Sequence, residues 1–169
     1  MDCIRCHKKA VVSIKGNPAF CEKCFCDAIE KRIRKHVRMN KLFSKNDKIY
    51  TEGELCKYLV RDIIKDLPVK YTSKKQANKI VLAYTANDLC IDFLKYLTEN
   101  KSLISKTKEV KLLATITNEE AKLFAKFKKL EFKPLKKEPN LNKFLSNLSE
   151  KNPEIINSLG KSAKEIIDL

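Results

Sequence analysis

Four cysteines near the start of the chain carry its most specific chemistry. Cys3-Ile-Arg-Cys6 and Cys21-Glu-Lys-Cys24 are two C-x₂-C knuckles separated by 14 residues. Two intervening residues let both sulfurs of a knuckle turn toward one ion. Four thiolates suit zinc, which takes soft ligands tetrahedrally and has no redox chemistry of its own. The spacing predicts a zinc ribbon with Cys3, Cys6, Cys21 and Cys24 around one structural Zn²⁺. A site with four protein ligands has no open position, so its expected role is structural. His7 and Cys26 lie just outside the knuckles as substitute ligands, and Cys26 is expected to face the following helix. Cys56 and Cys90 stand alone and read as small buried hydrophobes. Seven cysteines, an odd count, with no apolar leader argue against a disulfide framework and for a cytoplasmic protein.

The second chemistry is cationic. The chain holds 36 Lys+Arg against 21 Asp+Glu, a net charge of +15. The excess is densest in the first 50 residues, with 13 basic against 5 acidic residues. Such a balance favours a polyanionic partner, most often nucleic acid. Phe25, Ile29, Ile33 and Val37 recur every fourth residue and predict a helix over 25–42 with one apolar stripe. On another face Lys31, Arg34, Lys35, Arg38 and Lys41 form a cationic stripe, and residues 31–41 contain no acidic residue. Lysines and arginines so placed neutralise phosphates, which makes these five the expected nucleic-acid contacts. The lysines of 126–129 and 133–137 extend the patch or form a solvated loop.

The rest of the chain must position these groups. A short strand is predicted at 47–51 and an amphipathic helix at 54–66, which Pro68 ends. A second short strand follows at Val69–Tyr71. Lys79–Thr85 is the strongest strand, with a continuous apolar run that implies burial on both faces. A helix over 88–99 is expected to be capped by Asn87 or Asp88. Val110–Leu113 reads as a strand, and Thr117-Asn-Glu-Glu120 as a capping box opening a helix to Leu130. A basic loop over 132–139 and helices at 140–150 and 153–168 complete the chain. Alternating strands and helices predict an α/β class with a small, mainly parallel sheet. The expected units are 1–24 as ribbon, 25–46 as basic linker helix and 47–169 as α/β domain with C-terminal helices. Three glycines leave little room for a glycine-rich loop, and no apolar run nears the ~18 residues of a membrane span.

This order of elements resembles the tRNA 2-thiolation proteins, PP-loop ATPases that thiolate tRNA uridines. The resemblance is carried by the four-Cys ribbon, the basic helix Phe25-Cys-Asp-Ala-Ile-Glu-Lys-Arg-Ile-Arg-Lys-His-Val-Arg38, Asn40-Lys-Leu-Phe43 and Asn46-Asp-Lys-Ile-Tyr50. Softer matches continue through Lys79 to Asp88, Lys108 to Leu113, Thr117 to Ala125 and Phe144 to Pro153. It implies a reduced PP-loop sheet domain, similar to the adenine nucleotide alpha hydrolases, and tRNA as partner. The chain departs from the family at the pyrophosphate loop. Thr51, Glu52, Gly53 and Glu54 stand where the family has Ser-Gly-Gly-x-Asp-Ser. A phosphate at ~4 Å from either glutamate is repelled by at least ~1 kcal/mol even in water. The family's Asp-Asp motif is reduced to Asn87-Asp88, the residues after Glu131 hold no cysteine, and the segment around Tyr71–Lys79 is compressed. The resemblance with these departures implies a non-catalytic, pseudo-enzyme subunit that binds tRNA and supports 2-thiolation, expected at the wobble uridine. Its partner is a catalytic paralogue in a hetero-oligomer, or a second copy in a self-dimer. Neither ATP nor an iron-sulfur cluster is expected, and no membrane. The alternative is an independent zinc-ribbon accessory protein that binds nucleic acid.

Overall fold

The computed structural model describes residues 1–14, 18–99, 108–135 and 138–167. Residues 15–17, 100–107, 136–137 and 168–169 lie outside the described residues, among them part of the basic loop expected at 132–139 and the last residue of the helix expected at 153–168. The β-prone runs assemble into one sheet of β1 (Lys48–Thr51), β2 (Lys70–Tyr71), β3 (Lys79–Thr85) and β4 (Glu109–Leu113). Its order is β2-β1-β3-β4 and every pairing is parallel. The connection from β2 to β3 passes β1 in seven residues, 72–78, although parallel crossovers usually need a dozen or more. The register explains how. Tyr71 at the end of β2 and Lys79 at the start of β3 both pair with Ile49. The chain therefore moves sideways with no return along the strands, and a two-residue β2 makes that possible.

The helices are α1 (Glu22–Met39), α2 (Glu54–Ile63), α3 (Ala86–Glu99), α4 (Asn118–Lys128), α5 (Pro139–Lys151) and α6 (Ile155–Ile167). The apolar stripe of α1, Phe25, Ile29, Ile33 and Val37, is buried in the main core with Ile49 of β1, Leu55 and Leu59 of α2, Val81 of β3, Leu112 of β4 and Phe124 of α4. Val12 and Ile14 of the ribbon belong to the same core. Two smaller clusters pack α3 against the C-terminal helices, through Leu89, Phe93 and Ala163, and through Ile91, Leu145 and Ile156.

Among the helix ends that differ from expectation, α1 stops at Met39 and leaves Lys41 beyond it at φ 47°, and three others have a local reason. Helix α1 starts at Glu22, because the second cysteine knuckle is itself the helix entry with Cys21 as N-cap. Helix α3 starts at Ala86. Asp88 sits inside it, and its carboxylate accepts from the Thr85 N–H at 2.8 Å and the Thr85 hydroxyl at 2.9 Å. Asn87 instead reaches the next unit, where its Oδ1 accepts from the N–H of Asn118 at 2.8 Å. Helix α2 ends at Ile63, with Ile64 as C-cap and a turn closed by the Leu67 N–H on the Ile64 carbonyl ahead of Pro68. The pyrrolidine ring disfavours helical conformation in the residue before it.

The capping box of α4 forms in full. The Glu120 N–H donates to Thr117 Oγ1 at 3.2 Å, and the Thr117 N–H donates to Glu120 Oε2 at 2.8 Å. Arg32 of α1 donates to both oxygens of the same buried carboxylate, at 2.8 and 3.0 Å. The cap therefore also docks α1 on α4. Thr117→Ala is expected to lower stability by about 1 kcal/mol, as other N-cap truncations do. Urea unfolding checks it, and an unchanged midpoint would show that the cap contributes nothing.

Candidate functional site

The ribbon brings the two knuckles together by short antiparallel bridges, Asp2 with Lys9 and Val12 with Phe20. In the first knuckle the Cys3 N–H donates to the Lys8 carbonyl at 2.7 Å, and His7 closes the turn at φ 58°. The second knuckle is the start of α1, with Cys21 as N-cap and Cys24 in the first turn. All four sulfurs, of Cys3, Cys6, Cys21 and Cys24, lie within 4.8 Å of one another, and those of Cys6 and Cys21 are 3.5 Å apart. One ion bonded to four sulfurs at ~2.3 Å in a tetrahedron sets sulfur–sulfur distances of ~3.8 Å, so the donor set fits a thiophilic metal.

The electrostatics point the same way. Burial opposes ionisation of Cys3, yet hydrogen bonds from the backbone of Cys21, Arg5 and Cys6 hold its thiol down at about 6. The Cys24 thiol is pushed up to about 12, first by burial and then by its hydrogen bonds with Cys21, Cys6 and Cys3. Like charges this close oppose one another, so four sulfurs in such a group ionise together only around a cation. A metal ion supplies that charge, and the N-terminus of α1 adds to it. His7 is not part of this group. Cys26 faces the core from α1, where burial pushes its thiol up to about 11. Cys56 and Cys90 are fully buried, which pushes both thiols up to about 12, as expected of packing residues.

The five cations of the sequence stripe lie together. Lys31, Arg34, Lys35, Arg38 and Lys41 are exposed and line one groove of about 550 Å³ between α1 and the end of α2. The remaining lining is mostly apolar: Val37, Phe43, Ile63, Ile64 and Leu67, with Asp66. Arg34 is partly committed, because it pairs with Asp62 of α2 and lies 3.7 Å from Glu30. Of the second lysine cluster, Lys128 pairs with Glu30 at 2.8 Å and covers the Tyr58 ring, so it holds α1 and α2 to α4. Lys133 pairs with Glu131 at 2.8 Å.

Thr51, Glu52, Gly53 and Glu54 sit where β1 runs into α2. Connections leave β1 and β3 toward opposite sides of the sheet, so the carboxyl ends of these neighbours form the switch point at which open α/β sheets bind ligands. Gly53 is the N-cap of α2 with φ 82°, a left-handed conformation that favours glycine. Glu52 pairs with Lys74, and Glu54 accepts from the N–H of Glu131 at 3.1 Å. A cavity of about 290 Å³ lies between this turn, Cys56, Ala83 and the segment 131–135.

Sequence reasoning missed two features. Nothing local pairs Arg32 with Glu120, 88 residues away. A polar cleft of about 750 Å³, with Asn87, Thr115, Asn118, Lys143 and Asn157 among its lining, opens between the start of α4 and the helices α5 and α6. Its lining comes from six separate stretches of the chain, which no local pattern brings together.

No protein-family model matches the chain, and no curated protein matches it. Among solved structures, it is similar to the U34-tRNA thiolase NcsA from Methanococcus maripaludis, solved with its 4Fe-4S cluster. The TM-score is 0.78 at 14% sequence identity, over 99% of this chain and 87% of that chain. This likeness is one of fold, and it corrects two expectations. The chain was expected to be a pseudo-enzyme on the strength of Glu52 and Glu54, the reduced Asn87-Asp88 motif, the lack of cysteine after Glu131 and the compressed segment around Tyr71–Lys79. Its fold is that of a thiolase over nearly its whole length, so these local departures do not establish a non-catalytic protein. The exclusion of an iron-sulfur cluster also falls. The neighbour carries one, and this chain holds four clustered cysteine sulfurs, a donor type that serves iron as well as zinc. Among the described residues no helix is long and apolar enough to cross a membrane. The structure is an α/β protein with a parallel sheet, a four-cysteine metal group compatible with a zinc ribbon, and the fold of a tRNA thiolase.

Proposed function

We propose that this protein acts in the 2-thiolation of a tRNA uridine, at the wobble position, and that it engages tRNA through α1. The observation that carries the reading is the convergence of Lys31, Lys35, Arg38 and Lys41 on one groove in a chain with a tRNA thiolase fold. In this reading the thiolates of Cys3, Cys6, Cys21 and Cys24 hold a metal that fixes the ribbon and the start of α1. The cations of α1 take the phosphates of the tRNA backbone. The crevice at the ends of β1 and β3 is the place the fold offers for a ligand.

The experiment is a deletion of the gene followed by mass spectrometry of nucleosides from purified tRNA. Loss of 2-thiouridine derivatives, restored by the wild-type gene, is the expected result. Unchanged thiouridine would overturn the reading. Equal affinity of the purified protein for tRNA and for duplex DNA would favour a general nucleic-acid-binding ribbon protein instead.

A further inference from the structure

We propose that the groove between α1 and the end of α2 receives an unpaired nucleotide of RNA, with its phosphates on the α1 cations and its base against Phe43 and Leu67. This rests on the reading of α1 as the RNA-binding element and adds what that element recognises. Cations alone account for the rim of the groove. A duplex backbone is neutralised by charges on an open surface and needs no apolar recess. Here the recess is concave, about 550 Å³, and floored by half-buried Phe43, Ile63 and Leu67. That volume is in the range of pockets that enclose a small organic molecule.

Charge selects the class of occupant. Five cations line the groove against Asp66 as the one lining carboxylate among the described residues, while Asp62 is engaged with Arg34. The occupant is therefore anionic as well as apolar. From Lys31 to Arg38 the stripe rises ~10 Å along α1 and Lys41 continues it past the C-cap Asn40, so it follows a backbone through more than one phosphate and does not mark one ion. A phosphodiester chain with a flat π-face meets both demands. Single-stranded segments bind in this way, with cations along the backbone and bases on aromatic or apolar side chains.

The test uses the full-length protein and two RNA hairpins of one sequence, one fully paired and one with a single-nucleotide bulge of 2-aminopurine. The bulged hairpin is expected to bind roughly tenfold tighter, with a change in 2-aminopurine emission on binding. Phe43→Ala should remove that preference and leave the salt dependence intact. Phe43→Leu keeps an apolar packing side chain without the ring, and serves if the alanine variant does not fold. Equal binding of the two hairpins, or a preference that survives loss of the ring, would overturn the proposal. So would an acidic amphipathic peptide that displaces RNA and binds more tightly, which would assign the groove to a protein segment. Charge reversal of the stripe separates the two levels. If it leaves both hairpins bound, the reading of α1 itself fails. If it abolishes both while they bind the parent equally, only the base pocket fails.

Discussion

Cys21→Ser is expected to release the metal and to unfold the ribbon. Cys21 is a member of the four-sulfur group; as N-cap of α1 its side chain makes no capping hydrogen bond and serine suits that position, so the effect comes through the metal. A structural thiolate site supplies about 10 kcal/mol or more to the folding it organises. Without it the crowded sulfurs return to thiols, and the ribbon has only short bridges to hold it. Val12 and Ile14 then lose their fixed place beside Phe25 and Ile29, so the main core loosens at that end. The sheet, held by its own ladders and by α2, α3 and α4, should stay folded. Three measurements on protein purified anaerobically without chelator check this: metal and acid-labile sulfide content, circular dichroism, and the melting temperature. Zinc without sulfide would mark a single ion, and iron with sulfide a cluster. Full metal content and an unchanged melt in the variant would reject the assignment of Cys21.

The second large effect is on RNA. The structure advises Lys31, Lys35 and Arg38 as the residues to reverse, because Arg34 is paired with Asp62 and its reversal would set three carboxylates together. Changing the three to Glu should lower tRNA affinity at physiological salt by roughly a hundredfold or more. The salt slope should fall by about 1 per phosphate contact removed. The apolar stripe of Phe25, Ile29, Ile33 and Val37 is untouched, so the fold should survive. A tRNA titration at several salt concentrations gives the answer, with circular dichroism as folding control. A folded triple variant that binds like the parent would make the stripe an ordinary solvated face.

Much of this was legible in the chain because the signals were periodic or local. The four-residue repeat of Phe25, Ile29, Ile33 and Val37 marks the buried face of α1, and the cations off that face mark its exposed side. The continuous apolar run of β3 needs cover on both faces, which a central parallel strand has. The Thr117–Glu120 box carries its own geometry within four residues. What stayed hidden depends on distant partners. Helix ends shifted where a side chain had a tertiary task, as with Asn87 on the N–H of Asn118. The concavity beside the cationic stripe is made by the end of α2, which the pattern of α1 cannot contain. The same division explains the two corrections. A fold rests on the pattern of buried positions, so it persists at 14% identity, whereas single residues such as Glu52 and Glu54 at the start of α2 inform on local chemistry and not on the architecture that carries it.

The second knuckle of the ribbon doubles as the opening turn of α1, and this fixes a phase as well as a place. Each helical residue turns the chain by ~100°. Counting from thiolates pinned by the metal, the azimuth of every side chain on α1 follows, apolar stripe inward and cations toward α2. One residue inserted between Cys24 and Phe25 would rotate everything downstream by that angle. The core could keep its stripe only if Cys21 and Cys24 left the metal, or the metal its ligands only if the stripe left the core. Substitutions at the exposed Glu22 and Lys23 should therefore be tolerated far better than any change in length here.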